Sequence, residues 1–146
     1  ADHGRSSIIY SHRVIRTQSA LHSIAEVTEE QSMWAAYNRV LFAVGNNHAG
    51  VLYAAALPAV ARVAAYLNSE SAWVRRTAGE ILTELLAFEF HPDFAPELKD
   101  SAEASKRAQL LPFKEDLIRA IERVGRDERA GIVFNDLMAE LDGDRQ

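Results

Sequence analysis

The chain has 146 residues, 48% of them hydrophobic and 25% charged, with a formal net charge of −5. That length and composition suit a single domain, spanning 1–146, with a real core, and they exclude a largely disordered chain. Cysteine is absent, which excludes disulfides, thiolate metal sites and cysteine nucleophiles and fits a cytoplasmic location.

The 24 alanines, set against 7 glycines and 4 prolines, favour helix before any pattern is considered. No apolar run reaches the length of a membrane span. Ile8 and Ile9 stand nearly alone, so no secretory leader is expected. Charge is uneven. Residues 1–25 carry Arg5, Arg13 and Arg16 against Asp2, whereas residues 26–146 hold 13 basic and 20 acidic groups. An acidic body argues against general nucleic-acid binding and suits a basic protein partner.

Residues 1–5 and 143–146 read as disordered tips. A first helix is predicted over 6–27 from Ile8, Ile15, Leu21, Ile24 and Val27. Thr28 resembles an N-cap for a second helix, 29–44, in which Met33, Trp34, Tyr37, Val40, Leu41 and Val44 recur at threes and fours. Trp34 and Tyr37 are expected in the core. Gly45 is expected to end this helix through a positive φ.

Residues 51–67 form the next predicted helix. Pro58 either kinks it or stands in the first turn of a second, shorter helix. Ser71 caps the helix 72–88, with Val74, Ala78, Ile81, Leu85 and Phe88 inward and Arg75, Arg76, Thr83 and Glu84 outward. Residues 89–110, with Pro92 and Pro96, read as an insert whose polar part, 97–109, is a short exposed helix or a mobile stretch. A helix over 111–124 closes at Gly125. Asp127 caps the last helix, 128–141.

These helices pair as 6–27 with 29–44, 51–67 with 72–88, and 111–124 with 128–141. The first two pairs each span about 40 residues, the period of HEAT-type repeats. Arg76-Thr77-Ala78-Gly79 and Arg129-Ala130-Gly131 occupy similar places in successive second helices. The fold expected is all-α: a short right-handed α-solenoid of about three helix pairs, with an insert before the last.

The stretch Gly45-Asn46-Asn47-His48-Ala49-Gly50-Val51-Leu52-Tyr53-Ala54-Ala55-Ala56-Leu57-Pro58, followed by Trp73-Val74-Arg75-Arg76-Thr77-Ala78, resembles bacterial HEAT-repeat proteins. Those often read G-N-x-H-A-G-x-x-Y-x-A-A-x-P and then W-x-R-R-x-A. The resemblance covers roughly residues 30–90 and, more weakly, 111–141. Ala54 departs from it, since such relatives often place a proline there. The resemblance implies a helical-repeat fold and a binding role. Some bacterial HEAT-like proteins are thought to act as immunity proteins against secreted toxins.

Residues with chemical potential each have a structural alternative. Asn46, Asn47 and His48 are a polar contact site or a helix–helix turn whose amides cap backbone groups. Glu89, His91 and Asp93 lack a convincing further metal ligand, and His3, His12 and His22 lack a spacing that suits one helix face. Glu80 and Glu84 share a helix face as paired carboxylates would, but exposed helices carry such pairs routinely and Arg76 offsets them. Trp73 is an aromatic anchor beside charges, or it packs on the neighbouring repeat.

In a solenoid the second helices line the concave surface. The expected partner-binding positions are therefore Asn38, Arg39, Asn46, His48, Trp73, Arg75, Arg76, Glu80, Glu84, Asn135 and Asp136. No cofactor, metal or catalytic residue is expected. The function expected is non-enzymatic protein binding. The alternatives are a nucleic-acid-binding module using Arg39, Arg62, Arg75 and Arg76, or a small helical enzyme using His48 or His91.

Overall fold

A computed structural model of the chain describes residues 16–46, 51–52, 55–90 and 101–143. The architecture is all-α, and no helix among the described residues is long and apolar enough to cross a membrane. A first helix, α1, runs over residues 16–25 and buries Ala20, Leu21 and Ile24. Residues 6–15 of the predicted first helix lie outside the described residues.

Helix α2 is Glu30–Val44. Its N-cap is Glu29 rather than Thr28, because the Ser32 hydroxyl turns back to accept from the backbone N–H groups of Thr28 (3.1 Å) and Glu29 (3.2 Å). Met33, Ala36, Val40, Leu41 and Val44 are buried. Trp34 is not core but 37% exposed, and Tyr37 is half-buried. Gly45 ends α2 in an extended conformation (φ −166°), not with a positive φ. It opens a two-residue strand.

That strand, β1 (Gly45–Asn46), pairs antiparallel with β2 (Val51–Leu52), and β2 pairs in parallel with β3 (Glu89–Phe90). Val51 and Leu52 are therefore strand, not the start of a long helix. Helix α3 begins only at Ala56, ends at Ala64 and tightens into a 3-10 turn over Ala65–Asn68. Pro58 stands in its first turn, where the missing N–H has no helical acceptor to lose.

Helix α4 is Ala72–Ala87, and the Ser71 hydroxyl accepts from Val74 N–H (3.3 Å). It packs against α2, α3 and a later helix, α7, and is the centre of the fold. Helix α5, Ala102–Leu110, occupies part of the predicted insert. It is not merely exposed, since it packs on α3 and buries Ala102, Lys106 and Leu110.

The predicted helix over 111–124 resolves into a 3-10 turn, Leu111–Phe113, and helix α6, Lys114–Glu122. Gly125, with φ +57°, supplies the left-handed residue that turns the chain. Helix α7, Glu128–Leu141, follows, with the Asp127 carboxylate accepting from Ala130 N–H (3.0 Å).

Helices α2, α4 and α7 run parallel. Trp73, at the start of α4, packs on Met33 near the start of α2, while Glu84 farther along bonds Tyr37. Across the other side, Arg76 lies by Asp127, Glu80 by Arg129 and Gly79 against Val133 and Phe134. The small sheet joins the strands that follow α2 and α4.

Candidate functional site

Helix α4 exposes Ala72 and Ala87, and the half-buried Arg76 and Thr83 lie on the same arc with Glu80. Glu80 is nevertheless only 3% exposed. The cause is Arg129 of α7, whose Nε donates to Glu80 Oε1 (2.8 Å) and whose Nη2 donates to Oε2 (3.1 Å). This two-pronged contact suits a planar guanidinium on a carboxylate. It holds Arg129 firmly in its charged form, the hydrogen bond to Glu80 being the larger cause.

Arg76 approaches the same carboxylate from within α4, with Nε 3.9 Å from Glu80 Oε1 and Nη1 3.7 Å from Asp127 Oδ2. Its guanidinium also lies 5.4 Å from the centroid of the Trp73 ring, within cation–π range. Arg76 Nε is buried without a hydrogen-bond partner among the described residues. On the α2 side, Tyr37 bonds Glu84, and the Trp34 ring meets Tyr37 edge-on at 5.2 Å. A continuous chain of contacts thus crosses all three parallel helices.

Burial pushes the Tyr37 hydroxyl above its ordinary value of 10.0, and the charges and hydrogen bond of Glu84, then Glu80, push it further. A folded-state pKa raised above the unfolded one stabilises the fold fully below pH 10, and that stability is lost as pH rises. Tyr37 is therefore expected to stay protonated well above pH 10 in a tyrosinate absorbance titration of the folded protein. Tyr37→Phe is expected to reduce the alkaline loss of stability, and an equal loss in both proteins would refute the upward shift of the Tyr37 hydroxyl.

The expected binding positions separate into groups. Trp73, Arg76, Glu80 and Glu84 come together in this network, and Asp136 adds its field to that of Arg129. Trp73 is half-buried and packs on the small cluster of Val27, Met33 and Ala36.

Arg75 does not face a partner. It is buried, and its Nη1 donates to the carbonyls of Ser69 (2.9 Å) and Glu70 (3.0 Å), fastening the loop before α4. Thr83 and Glu84, expected outward, are half-buried. Asn38 and Arg39 are exposed on α2, and Asn135 is exposed while bonding the Gly131 carbonyl of its own helix (2.8 Å). Asn46 is placed by its backbone in β1. His48, Asn47, His91, Asp93, His3 and His12 lie outside the described residues.

Sequence reasoning missed Arg129, Asp127 and Tyr37 as members of the network. The repeated Arg-x-Ala-Gly and Arg-Ala-Gly segments were the available signal, since both arginines converge on Glu80. It also missed the exposed apolar side chains Phe42 (67%) and Ile132 (53%). Among the described residues, no group of three or more His, Asp or Glu side chains could hold a metal ion. No protein-family model, curated protein or solved structure matches the chain.

Proposed function

We propose that this chain is a non-enzymatic, protein-binding helical-repeat module of HEAT-like kind, a short right-handed α-solenoid that binds along α2, α4 and α7. The single observation that carries this reading is the network on those three parallel helices. Two carboxylates (Glu80 and Asp127) and two arginines (Arg76 and Arg129) are linked across α4 and α7, and a third carboxylate, Glu84, meets Tyr37 of α2.

Charged groups held in place by one another lose little freedom on binding and can select a partner by charge. The exposed Trp34 and Ile132, next to network residues in their helices, add the apolar contact a protein interface needs. The excess of carboxylates favours a basic protein over a phosphate backbone. The inward course of Arg75 removes one of the four cations that nucleic-acid binding would use. The resemblance to bacterial HEAT-repeat proteins makes a basic, toxin-like domain the first partner to try.

The immobilised protein, exposed to native host lysate, is expected to retain a near-stoichiometric basic protein identified by mass spectrometry. Ile132→Glu and Glu84→Arg should abolish retention, while Arg62→Glu, at an exposed position on α3, should not. Recovery of nucleic acid alone, or retention indifferent to both changes on the face, would overturn the reading.

A further inference from the structure

Toward the C-terminal ends of α4 and α7 the same face opens into a groove of about 310 Å3. Leu86 and Leu137 are buried and form its apolar floor, while Ala87 and Ala139 are exposed and keep its walls low. Asp136 and Glu140, one turn apart on α7, are both exposed along it. Among the described residues, no basic side chain lines it.

The shape and the charge restrict the occupant. Two neighbouring parallel helices leave a trough between them, and a ridge of side chains from a third helix fits such a trough. Alanine walls let the incoming backbone approach closely. The apolar floor offers nothing to a small polar ligand, and the two carboxylates repel phosphates. Aliphatic side chains fit the floor, and cations one helical turn apart fit Asp136 and Glu140.

We propose that this groove seats a cationic amphipathic helix of a partner protein, with an aliphatic side chain on Leu86 and Leu137 and lysine or arginine meeting Asp136 and Glu140. The proposal rests on the protein-binding reading and adds which part of the partner docks, and where. It uses a part of the face separate from the Glu80–Arg129 contact.

The test is a fluorescence anisotropy titration with a labelled, helix-stabilised peptide that has leucine at its centre and arginine one turn to either side. The intact protein should bind it. Asp136→Lys with Glu140→Lys should weaken binding by roughly tenfold or more. Ala139→Arg, at an exposed position where folding is undisturbed, should weaken it as much by filling the groove. The same peptide with glutamate for arginine should not bind.

Absence of binding, or binding unchanged in both variants, would overturn the proposal. The lysate capture separates the two levels. A partner lost with Ile132→Glu but retained by the Asp136 and Glu140 reversal would leave the protein-binding reading standing and remove the groove.

Discussion

Replacing Lys106 with methionine is expected to lower the free energy of unfolding by about 2–4 kcal/mol. Lys106 is fully buried, and its Nζ donates to the carbonyls of Leu86 (3.2 Å) and Phe88 and to Glu103 Oε1 (3.0 Å). The two carbonyls belong to the end of α4, so one ammonium from α5 satisfies backbone acceptors some twenty residues away. Methionine keeps most of the volume but offers no donor.

Two effects oppose each other. Removing the ammonium relieves the cost of keeping a charge out of water, and replacing buried charges with apolar groups is sometimes neutral. Here the acceptors stay behind, and a buried acceptor left without a donor costs about 1–3 kcal/mol. With two carbonyls affected, loss is the expected sign. Urea unfolding at neutral pH measures it. An unchanged midpoint with an unchanged slope would mean that water reaches the end of α4 in place of Nζ.

The second large effect is expected at Gly79. A methyl group there would stand 2.7 Å from Phe134 Cε1 and 2.8 Å from Val133 Cγ1. Both are side chains of α7 with almost no exposure. In an exposed helix interior, glycine to alanine gains about 1 kcal/mol. At this position the overlap outweighs that gain, since overpacking a filled core costs about 1–3 kcal/mol or more.

Gly79→Ala is therefore expected to destabilise, and Gly79→Val to do so further by pushing α7 away from α4. The consequence reaches the charged network, because the Glu80–Arg129 contact spans the same two helices. Thermal unfolding followed by circular dichroism gives the first quantity. A stabilised Gly79→Ala would show that Phe134 and Val133 can withdraw, and that the close approach is not required.

Local signals in the sequence were enough to place much of the fold. Ser71 and Asp127 cap the helices they precede, Gly125 takes the left-handed turn, and the apolar stripe of α4 lies where its spacing puts it. The failures share a physical origin in partners distant along the chain. Val51 and Leu52 belong to a short apolar run, which periodicity cannot divide between strand and helix. Their pairing with Glu89 and Phe90 decides it.

Lys106 sits in a polar stretch that composition marks as exposed, and only the end of α4 makes its burial possible. Arg75 looks outward on a helical projection, yet the carbonyls of Ser69 and Glu70 draw it in. Glu80 shows the same limitation in the candidate site. Its outward position was legible, but the side chain that covers it lies 49 residues away.

The parallel course of α2, α4 and α7 has an electrostatic consequence. Amide dipoles of antiparallel neighbours cancel, whereas those of parallel neighbours add, so the three helices gather partial positive charge at one end and partial negative charge at the other. The ends follow this polarity. Oxygen acceptors of Ser32, Ser71 and Asp127 gather where the helices begin. At the opposite end α4 has no basic residue in its own last turn, and the cation it meets there is borrowed from α5. A lysine sealed from solvent is thus a response to the field that this topology creates.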